Sequence, residues 1–243
     1  MNRKIIQIED LNYSYPDGNK ALEGIKLDVQ EGESLGVIGP NGAGKTTLLL
    51  HFNGLLNGNN TARIEVLDLK VNNQNLRNIR KAVGFVFQDP QDQLFMPTVY
   101  EDVSFGPVNL GWDKDKVKEN TQQALEEVTL SEKAGHLSHH LSLGEKKRVS
   151  IATVLSMKPE ILILDEPSAN LDPAARRHLI DLLKRLSVTK IIAGHDLELI
   201  LELCNRVVVL DKGRVVADGE TRAILGNTLL MNQHSLEVPL SLK

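Results

Sequence analysis

Gly39-Pro40-Asn41-Gly42-Ala43-Gly44-Lys45-Thr46 has the spacing G-x-x-x-x-G-K-[ST]. It follows an apolar strand-like run, SLGVIG, and precedes an apolar helix-like run, TTLLLHF. That is the context in which such spacing binds phosphate. Glycines let the backbone curl until successive N–H groups face inward, and the following helix adds its positive end. In that arrangement Lys45 reaches the β and γ phosphates of a nucleotide, and the Thr46 hydroxyl binds Mg2+.

Further polar residues end apolar strand-like runs. ILILDE (161–166) delivers Asp165 to the C-terminal end of a strand, where α/β sheets keep their ligands. An aspartate there either holds Mg2+ through water or caps the turn before Pro167. Glu166 follows at the mouth, where it can polarise a water attacking phosphate. His195 ends KIIAGH, and Gln88 ends VGFVFQ. Each is open to two readings: a polar strand end, or a group that reaches the γ-phosphate, its water or the metal.

In LSLGEKKRVS (141–150), Ser142 and Glu145 are spaced S-x-x-E ahead of a helical pattern. One reading is a capping box that opens an amphipathic helix. The other is a helix N-terminus beside a glycine, able to meet an anion.

These groups need a scaffold to bring them together. Strand-like segments recur at IIQIEDL, IKLDV (25–29), SLGVIG, VGFVFQ, ILILD, KIIAGH and RVVVLDKGRVVADG, the last a hairpin about Lys212-Gly213. ILIL and KIIA are continuous apolar runs, as in strands covered on both faces. Between Pro107 and Pro159 the pattern turns helical. Val117, Thr121, Ala124, Leu125 and Val128 share one face, and Val149, Ala152, Thr153 and Ser156 mark a second helix that ends before Pro159. The expectation is an α/β core with an antiparallel edge and an inserted helical subdomain. After about residue 225 a surface helix and an extended end are expected.

The 243 residues suit one large domain, and 41% hydrophobic residues suffice for a core. With 28 Lys+Arg against 32 Asp+Glu, no basic excess advertises nucleic acid. One cysteine, Cys204, excludes an internal disulfide and reads as a core residue of a protein in a reducing compartment. MNRKIIQIED has no signal-peptide core and no apolar run reaches membrane-spanning length, so a cytosolic location is expected.

Taken in order, the motifs resemble the ATP-binding cassette family. The resemblance covers about residues 3–220 and implies an α/β fold of the P-loop NTPase class. Its parts would be a mixed RecA-like core sheet with an antiparallel β edge subdomain (1–88 and 159–225), a helical signature subdomain (89–158) and a C-terminal tail (226–243). GPNGAGKTT is similar to the family's P-loop, which assigns Gly39, Pro40, Asn41, Gly42, Ala43, Gly44, Lys45, Thr46 and Thr47 to ATP. Gln88 is placed as its Q-loop glutamine and Asp165 as its metal aspartate, so Thr46, Gln88 and Asp165 would hold Mg2+. Glu166, His195 and Gln88 take the catalytic positions, with SANLD (168–172) as the D-loop and His195 as the switch histidine. Tyr15 sits where the family places an aromatic against adenine.

The resemblance also joins the two readings of LSLGE. In the family the signature helix of one subunit faces the P-loop of a second, so Ser142 and the Gly144 backbone would meet the γ-phosphate across a dimer. The family pattern is LSGGQ. Leu143 and Glu145 depart from it, the first because leucine resists positive φ and the second because it brings negative charge toward an anion.

FVFQDPQDQLFMPTVYEDVSFGPVNLG and EVPLSL resemble energy-coupling-factor importers, particularly their cobalt and nickel branch. That implies an ATP-hydrolysing subunit on the cytoplasmic face of the cell membrane, held peripherally. Its partners would be a second ATPase, identical or not, a transmembrane coupling protein and a substrate-binding membrane protein. Leu94, Phe95, Met96, Val99 and Phe105 would be divided between docking surface and core. A vitamin transporter ATPase and a soluble cassette ATPase are the alternatives. His136, His139 and His140, at i, i+3, i+4, would share a face if helical, yet an importer's ATPase need not touch the cargo.

Overall fold

ILILD and TKIIA have no polar face, so they are stable only where both sides of a strand are covered. In the computed structural model, which describes residues 3–56 and 62–243, both segments are buried at every position. Among the described residues the strands are β1 (Lys4–Ser14), β2 (Lys20–Gln30), β3 (Ser34–Ile38), β4 (Arg63–Val66), β5 (Leu69–Lys70), β6 (Val83–Val86), β7 (Ile161–Asp165), β8 (Thr189–Ala193), β9 (Arg206–Asp211) and β10 (Arg214–Glu220). The helices are α1 (Lys45–Phe52), α2 (Leu76–Ala82), α3 (Val99–Asn109), α4 (Lys114–Glu127), α5 (Leu143–Leu155), α6 (Pro173–Arg185), α7 (Leu197–Leu203), α8 (Thr221–Leu225) and α9 (Thr228–Gln233).

A six-stranded sheet runs β10-β9-β3-β8-β7-β6, parallel except for the antiparallel β9–β10 edge. That edge is the expected hairpin, and Lys212 (φ 49°) and Gly213 (φ 75°) both take the left-handed conformation that a tight two-residue turn needs. A four-stranded antiparallel sheet runs β2-β1-β4-β5. β4 and β5 were not expected from the sequence, because four- and two-residue strands are too short to show a period.

Alternation along β7 divides the core in two. Ile161 and Ile163 face one cluster with α1's Leu48, Leu49 and Phe52 and the inner side of the four-stranded sheet. Leu162 and Leu164 face the other, built with α5, α6 and α7. The central sheet is therefore covered on both sides, and α1 lies between the two sheets.

The helical insertion holds α3, α4 and α5. Val117, Thr121, Ala124 and Leu125 are buried along α4 as expected, and Val149 and Ala152 along α5. α3 was not anticipated. Its start is a capping box in which Thr98 and Glu101 satisfy each other's backbone donors, and it carries Pro107 inside. The tail is more anchored than a surface helix: Met231 on α9 is fully buried, and Ser241 hydrogen-bonds Glu198 at the start of α7. Cys204 is buried, and burial pushes its thiol up to about 12.

Candidate functional site

The loops after β3, β6, β7 and β8 converge at one edge of the central sheet, because parallel strands put all their C-terminal ends there. They wall a cleft of about 670 Å³ whose lining includes Tyr15, Asn41 through Thr47, Gln88, Glu166 and His195. Gly39, Pro40 and Asp165 do not line it but accept hydrogen bonds from residues that do, the first two from Lys45 and the third from Thr46. Ser142 and Gly144 are not part of its wall.

Gly39 has φ +152°, and a Cβ there would lie 2.0 Å from the Leu210 carbonyl oxygen, so the loop closes on β9 only without a side chain. α1 starts at Lys45 behind Gly44, with no side-chain cap and no acidic residue in its first turn. Nothing of its own therefore competes with an anion for the positive helix end. Lys45 Nζ donates to the Gly39 and Pro40 carbonyls at 2.9 and 3.2 Å. Burial pushes its pKa down, against the pull of Glu166 and Asp165.

The Thr46 hydroxyl donates to Asp165 Oδ2 at 2.7 Å. Asp165 Oδ1 is buried with no hydrogen-bond partner. Burial raises the Asp165 pKa, while the Thr46 hydrogen bond and the charges of Lys45 and Lys147 oppose it. An orphaned carboxylate oxygen beside a hydroxyl is a hard-oxygen donor set, and it fits Mg2+. Gln88 stands exposed on the cleft wall nearby.

Glu166 takes a left-handed conformation, φ +45°, unusual for a residue with a Cβ and costing about 1 kcal/mol or more. Its Oε1 lies 3.3 Å from His195 Nε2 and 4.0 Å from Lys45 Nζ, and its Oε2 accepts from the His195 N–H at 3.2 Å. His195 Nε2 is also 3.1 Å from Lys45 Nζ. The acid, the imidazole and the ammonium thus form one cluster at the mouth. Tyr15 also lines the cleft, its hydroxyl 2.9 Å from Thr47 Oγ1 and its ring edge-on to Tyr13.

At the tip of α5 the capping box is complete. Glu145 Oε2 accepts from the Ser142 N–H and hydroxyl at 2.8 and 2.9 Å, and Ser142 Oγ accepts from the Glu145 N–H at 3.3 Å. Leu143 is the first helical residue, half-exposed, and is absent from the described positive-φ positions, so leucine is unstrained there. Gly144 packs on α6: a Cβ would come 2.7 Å from Ala175 Cβ. His136, His139 and His140 do not share an α-helical face, because Ser138–His140 is a single 3-10 turn with His136 outside it.

Residues 22–169, more than half the chain, match the ABC transporter family. The chain belongs to the ATP-binding cassette family. It is 46% identical over 241 residues to the energy-coupling factor transporter ATP-binding protein EcfA of Carboxydothermus hydrogenoformans, covering 98% of this chain and 88% of that one. Among solved structures it is similar to cbiO1 from Clostridium perfringens, part of the ABC transporter complex cbiONQ. That likeness has a TM-score of 0.84 and 38% identity over 96% of this chain and 94% of the other. It is also similar to the ATP-binding cassette MJ0796, solved as a dimer in a post-hydrolysis state with ADP and Pi. There the TM-score is 0.79, with 25% identity over 89% of this chain and 98% of the other. This cassette is thus an ATP-hydrolysing transport motor of energy-coupling-factor type.

The structure adds residues to the cassette's site that the sequence reading missed. Gln93 accepts from the Phe87 N–H at 3.1 Å and donates to the Ser150 carbonyl and Thr153 Oγ1 at 2.8 Å each, tying the Gln88 loop to α5. Arg176 on α6 makes a two-pronged ion pair with Asp196, the neighbour of His195. Lys147 is buried on the inner face of α5. An ionisable residue at an apolar-face position, with Ile151 and Val154 following, was the available signal.

Proposed function

We propose that this cassette powers import of a transition-metal ion, cobalt or nickel, as the ATPase of an energy-coupling-factor complex. Two copies close on ATP, each P-loop meeting the other's Ser142 and Gly144. One chain carries both halves of such a site, so the pairing is isologous. The signature tip lies outside the cleft of its own chain, which supports a site completed by a second copy.

Within each site Lys45 and the amides around Gly42 and Gly44 bind the phosphates, and Tyr15 faces the base. Thr46 and Asp165, with Gln88, hold Mg2+, which when bound neutralises charge on the phosphates. Glu166 accepts the proton of the attacking water, and His195 orients that water against the γ-phosphate.

The observation that carries the transport reading is an apolar groove of about 760 Å³ between the Gln88 loop and α3. Phe85, Phe87, Phe95, Phe105 and Met157 line it, with Arg77, Arg80 and Lys81 at the rim. Phe95 and Phe105 are 62% and 42% exposed and stack edge-on, whereas Val99 is wholly core. Exposed paired aromatics on a water-soluble face suit a helix of a membrane partner. Among the described residues no helix is long and apolar enough to cross a membrane. The metal assignment rests on the 85–111 segment's resemblance to the cobalt and nickel branch, and the likeness to cbiO1 supports it.

The test is to isolate the complex from native membranes, reconstitute it in vesicles and measure uptake of radioactive cobalt and nickel with ATP inside the reaction. Uptake of either ion that Lys45→Ala abolishes is expected. Uptake of a vitamin instead would remove the metal assignment.

A further inference from the structure

Lys147 lies in the second turn of α5, with 2% of its surface exposed. An ammonium so enclosed costs several kcal/mol unless its donors are satisfied. Lys147 Nζ donates to the Gln88 carbonyl at 2.6 Å and to the Glu166 carbonyl at 3.2 Å. Burial pushes its pKa down, opposed by the charges of Asp89, Glu166 and Asp165. No carboxylate pairs directly with it among the described ion pairs; the two contacts are to peptide oxygens. A single cation thereby joins the signature helix to the backbone of two residues whose side chains wall the cleft.

The Glu166 peptide needs such a hold. Its left-handed φ is strained, and such strain persists only where neighbours fix it. The Glu166 carbonyl accepts from Ala169 N–H at 3.1 Å and from Lys147, and its N–H donates to the Ala193 carbonyl at 2.9 Å. Of these, the Lys147 bond alone comes from the helical insertion. Movement of α5 therefore pulls directly on the peptide that aims the Glu166 carboxylate.

We infer that Lys147 is a positioning residue for ATP hydrolysis: its ammonium fixes the Glu166 and Gln88 peptides to α5, so the glutamate is aimed only when the signature helix is seated. This rests on Glu166 being the group that polarises water.

Lys147→Met keeps the stem and removes the donors. Steady-state phosphate release by the full chain and binding of a fluorescent ATP analogue separate aiming from folding. Turnover at saturating ATP should fall about tenfold or more, as expected of a misplaced catalytic group. Analogue affinity should change by less than about twofold, because the lost interaction serves the chemical step. Lys147→Arg, which retains donors, should recover turnover to within about threefold of wild type. Unchanged turnover in Lys147→Met would overturn the inference. So would turnover and affinity falling together with no recovery by arginine, since a packing role predicts that pattern. If Lys147→Met does not fold, Lys147→Gln, with a neutral donor, takes its place: slowed turnover with retained binding supports the inference, and wild-type turnover overturns it. Glu166→Gln is measured alongside. If it hydrolyses normally, the reading of Glu166 fails, whatever the Lys147 variants do.

Discussion

The Ser142 hydroxyl donates to Glu145 Oε2 at 2.9 Å, and the same oxygen accepts the Ser142 N–H at 2.8 Å. The donors that the proposed dimer would offer to phosphate are therefore already held by a carboxylate of the same helix. The Ser142 backbone hydrogen bond is the main cause holding Glu145 below the usual carboxylate range, so it is ionised at neutral pH. Glu145→Gln keeps an acceptor for the cap and removes the charge. ATP-driven pairing should tighten by about two- to fivefold, the size of a charge effect at a helix N-terminus. Sedimentation equilibrium with a non-hydrolysable ATP analogue measures it, and equal or weaker pairing would count against the dimer geometry.

Asp165 presents one oxygen to Thr46 and leaves the other buried and unpartnered. Asp165→Asn preserves the shape and removes the charge that a cation needs. Nucleotide binding measured in chelator should be unchanged, and the added affinity conferred by Mg2+ should disappear. Turnover should fall about 100-fold or more, since the cation's charge stabilisation is lost with it. A Mg2+ titration of analogue binding that matches wild type would exclude Asp165 as the metal residue.

Gly144 has a structural duty inside its own chain. Its added Cβ would meet Ala175 Cβ at 2.7 Å, too close for α5 and α6 to keep their spacing. Gly144→Ala should cost about 1–3 kcal/mol through overpacking. For a chain of this size that corresponds to a melting point lower by about 2–12 °C. Adding Ala175→Gly should restore most of it, and thermal unfolding of the four proteins in the cycle tests the coupling. Strictly additive effects would mean the two residues do not touch.

Glu202 on α7 is held at about 2, from an ordinary 4.5, first by Arg177 and then by Lys184, both on α6. The folded pKa is depressed, so this stabilisation is complete above the unfolded value and is lost as pH falls from about 4.5 toward 2. Glu202→Gln should melt lower at neutral pH by about 2 °C, because a partly exposed network contributes about 1 kcal/mol or less. The difference should shrink across that acid range. A gap that persists undiminished in acid would assign the effect to packing.

Much of the site was legible because its chemistry is local. Lys45, Thr46, Asp165, Glu166, Gln88 and His195 each end an apolar strand or begin a helix, and parallel strands bring such ends to one edge. ILILD and KIIA announced burial on both faces by having no polar side. Other features depended on contacts between distant segments. β4 and β5 exist as partners of β1 and of each other, and nothing in RIEVLDLK has length enough to reveal that. α3 hid behind Pro107, although T-x-x-E at 98–101 repeats the capping spacing of 142–145. Gln93 looks like an ordinary surface polar residue until the Gln88 loop folds against α5, whereas Lys147 stands out only by sharing the apolar face of Ile151 and Val154.

In the proposed complex, ATP joins two copies of this chain through P-loop and signature tip. Glu166→Gln, which should bind ATP and stall before hydrolysis, isolates that step. Sedimentation velocity with and without MgATP is the direct measurement. The protein should be a monomer alone, a dimer with MgATP, and a monomer again when Ser142→Arg is added to the same chain. A Glu166→Gln protein that remains monomeric with ATP bound would contradict it.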